Sequence, residues 1–320
     1  MHLGAITSGL LDRPFREVAK LLHDLGLTRI EPPAGGFFPK NHCNAKELLA
    51  DEAKYAEFQQ TLADYDLKVS AYAIHGQPLH PDPKIAAQND EDLRETCALA
   101  EKTGVDRITL LCGIPEARPG DLAPNWIVFP LPPEFQEWHN WQWEERAIPH
   151  WKKQAKVAED HGVRLCFEMV PCDLVFNPEG MLRLRDAVGP TVGCNFDPSH
   201  LFWQGIDCIE AIRVLKDCIY HAHAKDTRVD PHVVRINGVN DPKPYDRHLD
   251  RSWVFRSVGY GHGEDFWTDY LSMLRTIGYN DVVSIEHEDQ LIDPAEGFEY
   301  AIKFLQKILI KKSPAVLWDA

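Results

Sequence analysis

Short β-rich runs alternate with amphipathic helical stretches along the whole sequence, and this alternation restricts the chain to a few α/β architectures. The strand candidates are His2–Thr7, Thr28–Glu31, Lys68–His75, Arg107–Cys112, Val163–Val170, Thr191–Asp197, Ile219–Lys225 and Val282–His287. Each is bounded by Gly, Pro, Asp or Asn and is rich in Val, Ile, Leu or aromatic residues. Helical patterns are expected over Phe15–Leu25, Glu47–Tyr65, Asp90–Lys102, Trp151–His161, Pro178–Ala187 and Ile206–Lys216. A last pair, Phe266–Ile277 and Ala295–Ile310, brackets the eighth run. In the first pattern Val18, Leu21, Leu22 and Leu25 share one face, and Gly26 follows as a stop signal.

Eight strands, seven crossovers and a closing helix make up a (β/α)8 TIM barrel of the α/β class. A doubly wound open sheet would need a Gly-rich phosphate turn after its first strand, and Thr7-Ser-Gly-Leu-Leu-Asp12 lacks one. A single domain over residues 1–320 is expected, since no stretch reads as a linker. Two insertions stand out, residues 114–143 after the fourth strand and 227–263 after the seventh. Both leave from carboxyl-terminal strand ends, the side where such barrels carry their sites. The first contains Trp126, Trp138, Trp141 and Trp143, with Trp151 just beyond. These rings form either a wall for a ring-shaped ligand, with Trp143 as the candidate substrate contact, or an anchor for the loop.

Lys and Arg total 34 against 49 Asp and Glu, a net charge of −15. Such a surface repels phosphate backbones and anionic lipid, so neither nucleic acid nor membrane is expected as a partner. No basic leader or apolar run of about 18 residues is present, and a cytoplasmic address is expected. None of the eight cysteines forms a Cys-x-x-Cys pair, which points to small buried thiols in a reducing compartment.

Four strand candidates end in polar residues that apolar runs do not need: Glu168, Asp197, His223 and Glu286. In a barrel these ends converge on one mouth. Burying three carboxylates together is prohibitive unless a cation neutralises them. One divalent cation satisfies that demand. Three carboxylates and an imidazole favour Mn2+, Mg2+ or Co2+, and Zn2+ also fits.

The ordered set Phe-Glu168, Asn-Phe-Asp197-Pro-Ser-His200, His-Ala-His223-Ala-Lys225-Asp226, Gly259-Tyr-Gly261-His-Gly263-Glu-Asp-Phe266 and Ser-Ile-Glu286-His resembles the sugar phosphate isomerase/epimerase family. That family has a xylose-isomerase-like barrel and includes ketose 3-epimerases and inosose dehydratases. The resemblance implies that Glu168, Asp197, His223 and Glu286 are the metal ligands, with Mn2+ the first expectation. It also implies that Glu168 and Glu286 are the catalytic acid/base pair on opposite faces of a bound sugar. Removing a proton beside a carbonyl builds charge on oxygen, which a metal stabilises as an enediolate. The substrate expected is a small sugar or keto-sugar. Barrels of this family often pair, and a small partner subunit is compatible.

Around this set, His200 is expected to contact substrate oxygens, against a simple hydrogen bond to Asp197. Lys225 either binds a substrate oxygen or phosphate, or pairs with Asp226 or another rim acid. His75 is a rim contact to substrate, His80 a loop residue and His221 a satisfied core histidine. Glu31 either joins the mouth or caps backbone. The Gly259–Gly263 stretch reads as a loop into a helix with Asp265 as its N-cap.

Three rival functions remain. A lyase of the dehydratase or keto-glycoside-cleaving kind would use the same Glu pair. An abasic-site endonuclease would draw on His75, His200 and Asp246-x-His248 as further ligands. The fourth strand end, Leu110–Gly113, offers no His for it, and the charge opposes DNA. A sugar-binding module would not need two catalytic carboxylates.

Overall fold

The structure, a computed structural model, describes residues 1–312, so the last eight residues of the expected domain lie outside it. All eight strand candidates form parallel staves of one barrel. They are β1 (His2–Ile6), β2 (Arg29–Glu31), the divided pair β3 (Lys68–Val69) and β4 (Tyr72–Ala73), β5 (Arg107–Leu110), β6 (Arg164–Glu168), β7 (Val192–Phe196), β8 (Ile219–Ala224) and β11 (Val282–Ile285). The third stave breaks at Ser70–Ala71, so β3 pairs only with β2 and β4 with β5. A parallel bridge from Pro33, just past β2, to Ala73 of β4 spans this break and leaves the barrel nearly closed. Between Cys194 and Asn195 the β7–β8 register slips by one residue. Tyr220 is left unpaired there, a bulge of the kind that re-aims side chains near sites. His221 and His223, two residues apart on one strand face, both point inward and are wholly buried.

The surrounding helices follow the expected pattern with three shifts. The stretch expected as one helix over Glu47–Tyr65 is two, Ala45–Ala50 and Glu52–Asp64. Asp51 separates them, its carboxylate accepting from the Ala53 and Lys54 amides as an N-cap. The helix expected from Asp90 starts at Pro83, because proline suits a first helical position and Asp82 caps it. The 114–143 insertion has no regular secondary structure up to about residue 133. From Glu134 it is helical, running through a wide π turn at Gln142–Ala147 into Ile148–Asp160.

The 227–263 insertion is structured as well. β9 (Asp226–Val229) and β10 (Trp253–Arg256) form an antiparallel pair, with a helix over Pro231–Asn237 between them. Trp203, Trp253 and Phe255 make a small apolar cluster apart from the main core. Seven cysteines are buried, whereas Cys172 is exposed, contrary to the expectation for it. No described helix is long and apolar enough to cross a membrane.

Asp226 ties the second insertion to the barrel. Its buried carboxylate accepts from the amides of Gly259 (3.1 Å), Gly261 (3.0 Å) and His262 (2.8 Å) and lies 2.8 Å from His262 Nδ1. This explains the glycine spacing. Gly259 has φ +98°, and a Cβ on Gly261 would meet Asp226 Oδ1 at 2.4 Å. The N-cap position of the following helix is Gly263 rather than Asp265, which lies inside the first turn. Asp226→Ala removes the acceptor of these half-buried amides and is expected to lower stability by about 1–3 kcal/mol, read as the shift of a urea unfolding midpoint.

Candidate active site

The carboxyl-terminal stave ends bring Glu168, Asp197, His223 and Glu286 together. One donor atom from each lies within 4.8 Å of all the others, and all four residues are buried. Glu168 ends β6, Asp197 follows β7, His223 lies near the end of β8 and Glu286 follows β11, so the backbone ladders fix their spacing.

Each side chain is held from behind. Glu168 Oε2 accepts from Asn195 Nδ2 (2.8 Å) and lies 3.2 Å from His75 Nε2. Glu168 Oε1 lies 3.1 Å from His200 Nε2. Burial opposes ionisation of Glu168, but the hydrogen bonds of His200 and His75 hold it well below the usual carboxylate range. Burial works against Glu286 too, yet Lys225, then His223, brings it down to about 2. Asp197 goes the other way. Burial raises it, and Glu168 and Glu286 add to the rise against Lys225. Asp197 Oδ2 is buried without a hydrogen-bond partner.

His223 sits at the centre. Its Nδ1 lies 3.0 Å from Glu286 and 3.4 Å from Glu168. Its Nε2 lies 3.2 Å from both oxygens of Glu31. Burial disfavours a charged ring, but Glu31 and Glu286 raise His223 well above its ordinary value. Carboxylates on both sides favour the protonated ring. With a cation present, Nδ1 can lose its proton and ligate while Nε2–H still donates to Glu31. Glu31 therefore neither caps backbone nor faces the mouth. It stands behind His223, also bonded to His221 Nε2 (2.9 Å) and Thr109 Oγ1 (2.6 Å).

The donor set fits a divalent cation. Glu168, Asp197 and Glu286 meet Lys225, His223, His75 and His200, and Asp197 Oδ2 among them has no hydrogen bond, only ion pairs at 3.6 Å. Lys225 Nζ lies 3.3 Å from Glu286, 3.6 Å from Asp197 and 2.8 Å from Glu288. It pairs with these acids and not with Asp226, which turns to the glycine loop. His75 and His200 reach Glu168 directly. His80 Nδ1 accepts from the Asp82 amide and stays a loop residue.

Trp143 is not in this neighbourhood. It is buried in the core, donating to His139 with Arg183 over its ring. Trp151 is likewise internal, donating to the Cys112 carbonyl. Of the insertion's tryptophans Trp126 lines the mouth, in a cavity of about 570 Å3 shared with His200, Trp203, Trp253 and Phe255. Asn195 and Glu288 were not singled out from sequence. Asn195 was findable, because it sits two residues before Asp197 on the same strand face.

The xylose isomerase-like TIM barrel family model matches residues 19–308. YfiH of Bacillus subtilis (strain 168), described as an uncharacterized protein, is 36% identical over 313 residues, 97% of this chain and 99% of that protein. Among solved structures, the IOLI protein with a bound zinc atom has a TM-score of 0.66 at 19% identity, covering 97% of this chain and 98% of that one. The apo 3-keto-D-glucoside 4-epimerase YcjR from E. coli has a TM-score of 0.65 at 13% identity, covering 96% and 99%.

Removing the carboxylate behind a ligating imidazole typically weakens metal binding about 10–100-fold. Glu31→Gln is expected to do so for Mn2+, measured by titration calorimetry. A dissociation constant equal to that of the unaltered protein would detach Glu31 from any role at His223.

Proposed function

Because the chain belongs to the xylose isomerase-like TIM barrel family, we propose that it is a divalent-metal-dependent sugar isomerase or epimerase that removes a proton beside a carbonyl. The observation that carries this reading is the convergence of Glu168, Asp197, His223 and Glu286 on one buried point. A divalent ion held by these four, Mn2+ first among the candidates, would supply Lewis-acid stabilisation for charge building on the substrate oxygens. The zinc atom in IOLI supports zinc as an alternative.

The chain's own residues supply the proton chemistry. Glu168, held ionised by His200 and His75, is ready to take a proton from carbon. Glu286 is the second carboxylate and returns a proton to the other face of the planar intermediate. Lys225, 3.3 Å from Glu286 Oε1, holds that carboxylate in place, while the proton Glu286 returns comes from water and the one Glu168 removes goes back to water. His200 and Lys225 are the donors placed to hold substrate hydroxyl or carbonyl oxygens. The substrate is a small polyhydroxy carbonyl compound.

A lyase outcome is the second reading. The cavity beyond His200 leaves room for a substituent on the sugar. Where the carbon next to the deprotonated one carries such a group, the same intermediate expels it.

Glu286→Gln is expected to slow substrate interconversion by about 100-fold or more. Ketoses, inososes and 3-keto-glycosides are incubated with Mn2+ in deuterium oxide, and label at carbon is followed by NMR alongside epimer and elimination products. Full interconversion and exchange in the variant would contradict the role given to Glu286. Chelation is expected to abolish turnover in the unaltered protein, and added Mn2+ to restore it.

A further inference from the structure

We propose that the aromatic cavity beside His200 is a subsite for a second ring, so that the substrate is a ring-bearing glycoside and not a free monosaccharide. The proposal rests on the sugar-carbonyl reading above and names the substrate class for the same site.

The cavity is continuous with the cluster. His200 lines it and also lies 3.1 Å from Glu168 Oε1. Phe255 lines it too, packed edge-on against His200 at 5.3 Å and lying 4.6 Å from Lys225 Nζ. A sugar engaged by His200 and Lys225 would therefore point one of its substituents into this space. Volumes of about 300–1,000 Å3 suit ligands of drug size, and about 570 Å3 exceeds what a hydroxyl or methyl substituent requires.

The walls come from distant segments. Trp126 belongs to the first insertion, Trp203 follows the short helix Ser199–Phe202, and Trp253 and Phe255 lie on β10. These rings are pinned. Trp203 and Trp253 stack at 4.6 Å and 7°, and Trp253 Nε1 donates to the Val239 carbonyl (3.0 Å). The buried Arg251 donates from Nε to the Trp253 carbonyl (3.1 Å), with its guanidinium 4.7 Å from that ring and 4.4 Å from Tyr245. Trp203 and Arg251 already lie against the Trp253 ring, so this wall presents a rigid, largely apolar lining with little conformational entropy left to lose.

The charges on the lining are satisfied from within, which selects a neutral occupant. Asp241 is paired with Lys243 (2.6 Å) and accepts from the Ser252 amide (2.6 Å). Arg251 is committed to the Trp253 and Lys243 carbonyls and to the two rings. A phosphate or carboxylate gains no uncommitted cation there. An aryl group or a second pyranose ring gains apolar contact with this lining.

The test compares p-nitrophenyl β-D-glucopyranoside, cellobiose and methyl β-D-glucopyranoside by titration calorimetry, with and without Mn2+. At least one ring-bearing glycoside is expected to bind about tenfold or more tighter than the methyl glycoside, the scale of one or two stacking contacts. The aryl and disaccharide arms tell which kind of ring the cavity takes. Trp253→Ala and Trp126→Ala, from separate segments of the lining, are each expected to bring the affinity ratio close to one. Either is scored where its circular dichroism spectrum and melting midpoint match the parent, so one unfolded variant leaves the other to decide. Equal affinities in the parent protein, or a preference that survives substitution, overturns the subsite. Failure of the parent to bind Mn2+ in a separate titration counts against the metal reading, while the ring preference is scored on its own.

Discussion

Three carboxylates share one buried point at the mouth of the barrel, and much of the surrounding structure answers that repulsion. Glu168, Asp197 and Glu286 arrive there because parallel staves end on the same side and hydrogen-bonded ladders hold their spacing. Lys225 reaches Asp197 and Glu286, His223 reaches Glu168 and Glu286, and His75 and His200 both reach Glu168. Asp197 Oδ2 has no hydrogen bond, only Lys225 and His200 at 3.6 Å, and Asp197 is pushed up where its two neighbours are pulled down. Such crowding is what the proposed divalent ion would relieve.

Behind that point lies a deeper layer that explains the histidine order in β8. Thr109, His221 and His223 all bind Glu31, so three staves meet through one carboxylate. Glu31 fixes which nitrogen of His223 faces the mouth. The divided third stave brings the loop with His75 over Glu168, and Phe38 meets the His75 ring edge-on. In front, Asp226 fastens the glycine-rich loop, and the second insertion folds back far enough for Phe255 to lie over Lys225. Covering charged groups with a ring strengthens each electrostatic contact beneath it, because water no longer screens them.

The barrel was legible in the sequence because its strands are buried on both faces and bounded by turn residues, a pattern few other folds produce. The four polar strand ends were legible because nothing apolar requires them. Asn195 could have been added by the same two-residue alternation that links it to Asp197. Trp143 misled for a physical reason, since hydrophobicity alone cannot tell a ligand wall from a core anchor. Its helical phase could have decided the matter. Trp143, Ala147 and Trp151 recur every four residues and are all buried. The β9–β10 pair was harder to see. Ser-Trp253-Val-Phe255-Arg alternates correctly, but four residues are too few to stand out in a polar insertion. Glu288 lies two residues beyond Glu286, outside the final strand, and its contact with Lys225 depends on loop geometry that sequence does not encode locally.

The aromatic cavity and the crowded anions bear on each other. Lys225 sits between two acids of the cluster and Glu288 at the rim, with Phe255 covering it and His200 3.5 Å away. A ring stacked near Trp253 would displace water beside Phe255 without introducing charge. The field acting on a sugar carbonyl would rise as the cavity filled, because the same cations and anions would then act through a medium of lower dielectric. A substituent remote from the reacting carbon would in that way be used to raise reactivity at the cluster, as binding energy is used when it is realised chiefly in the transition state. A free monosaccharide leaves that space to water and forgoes the effect.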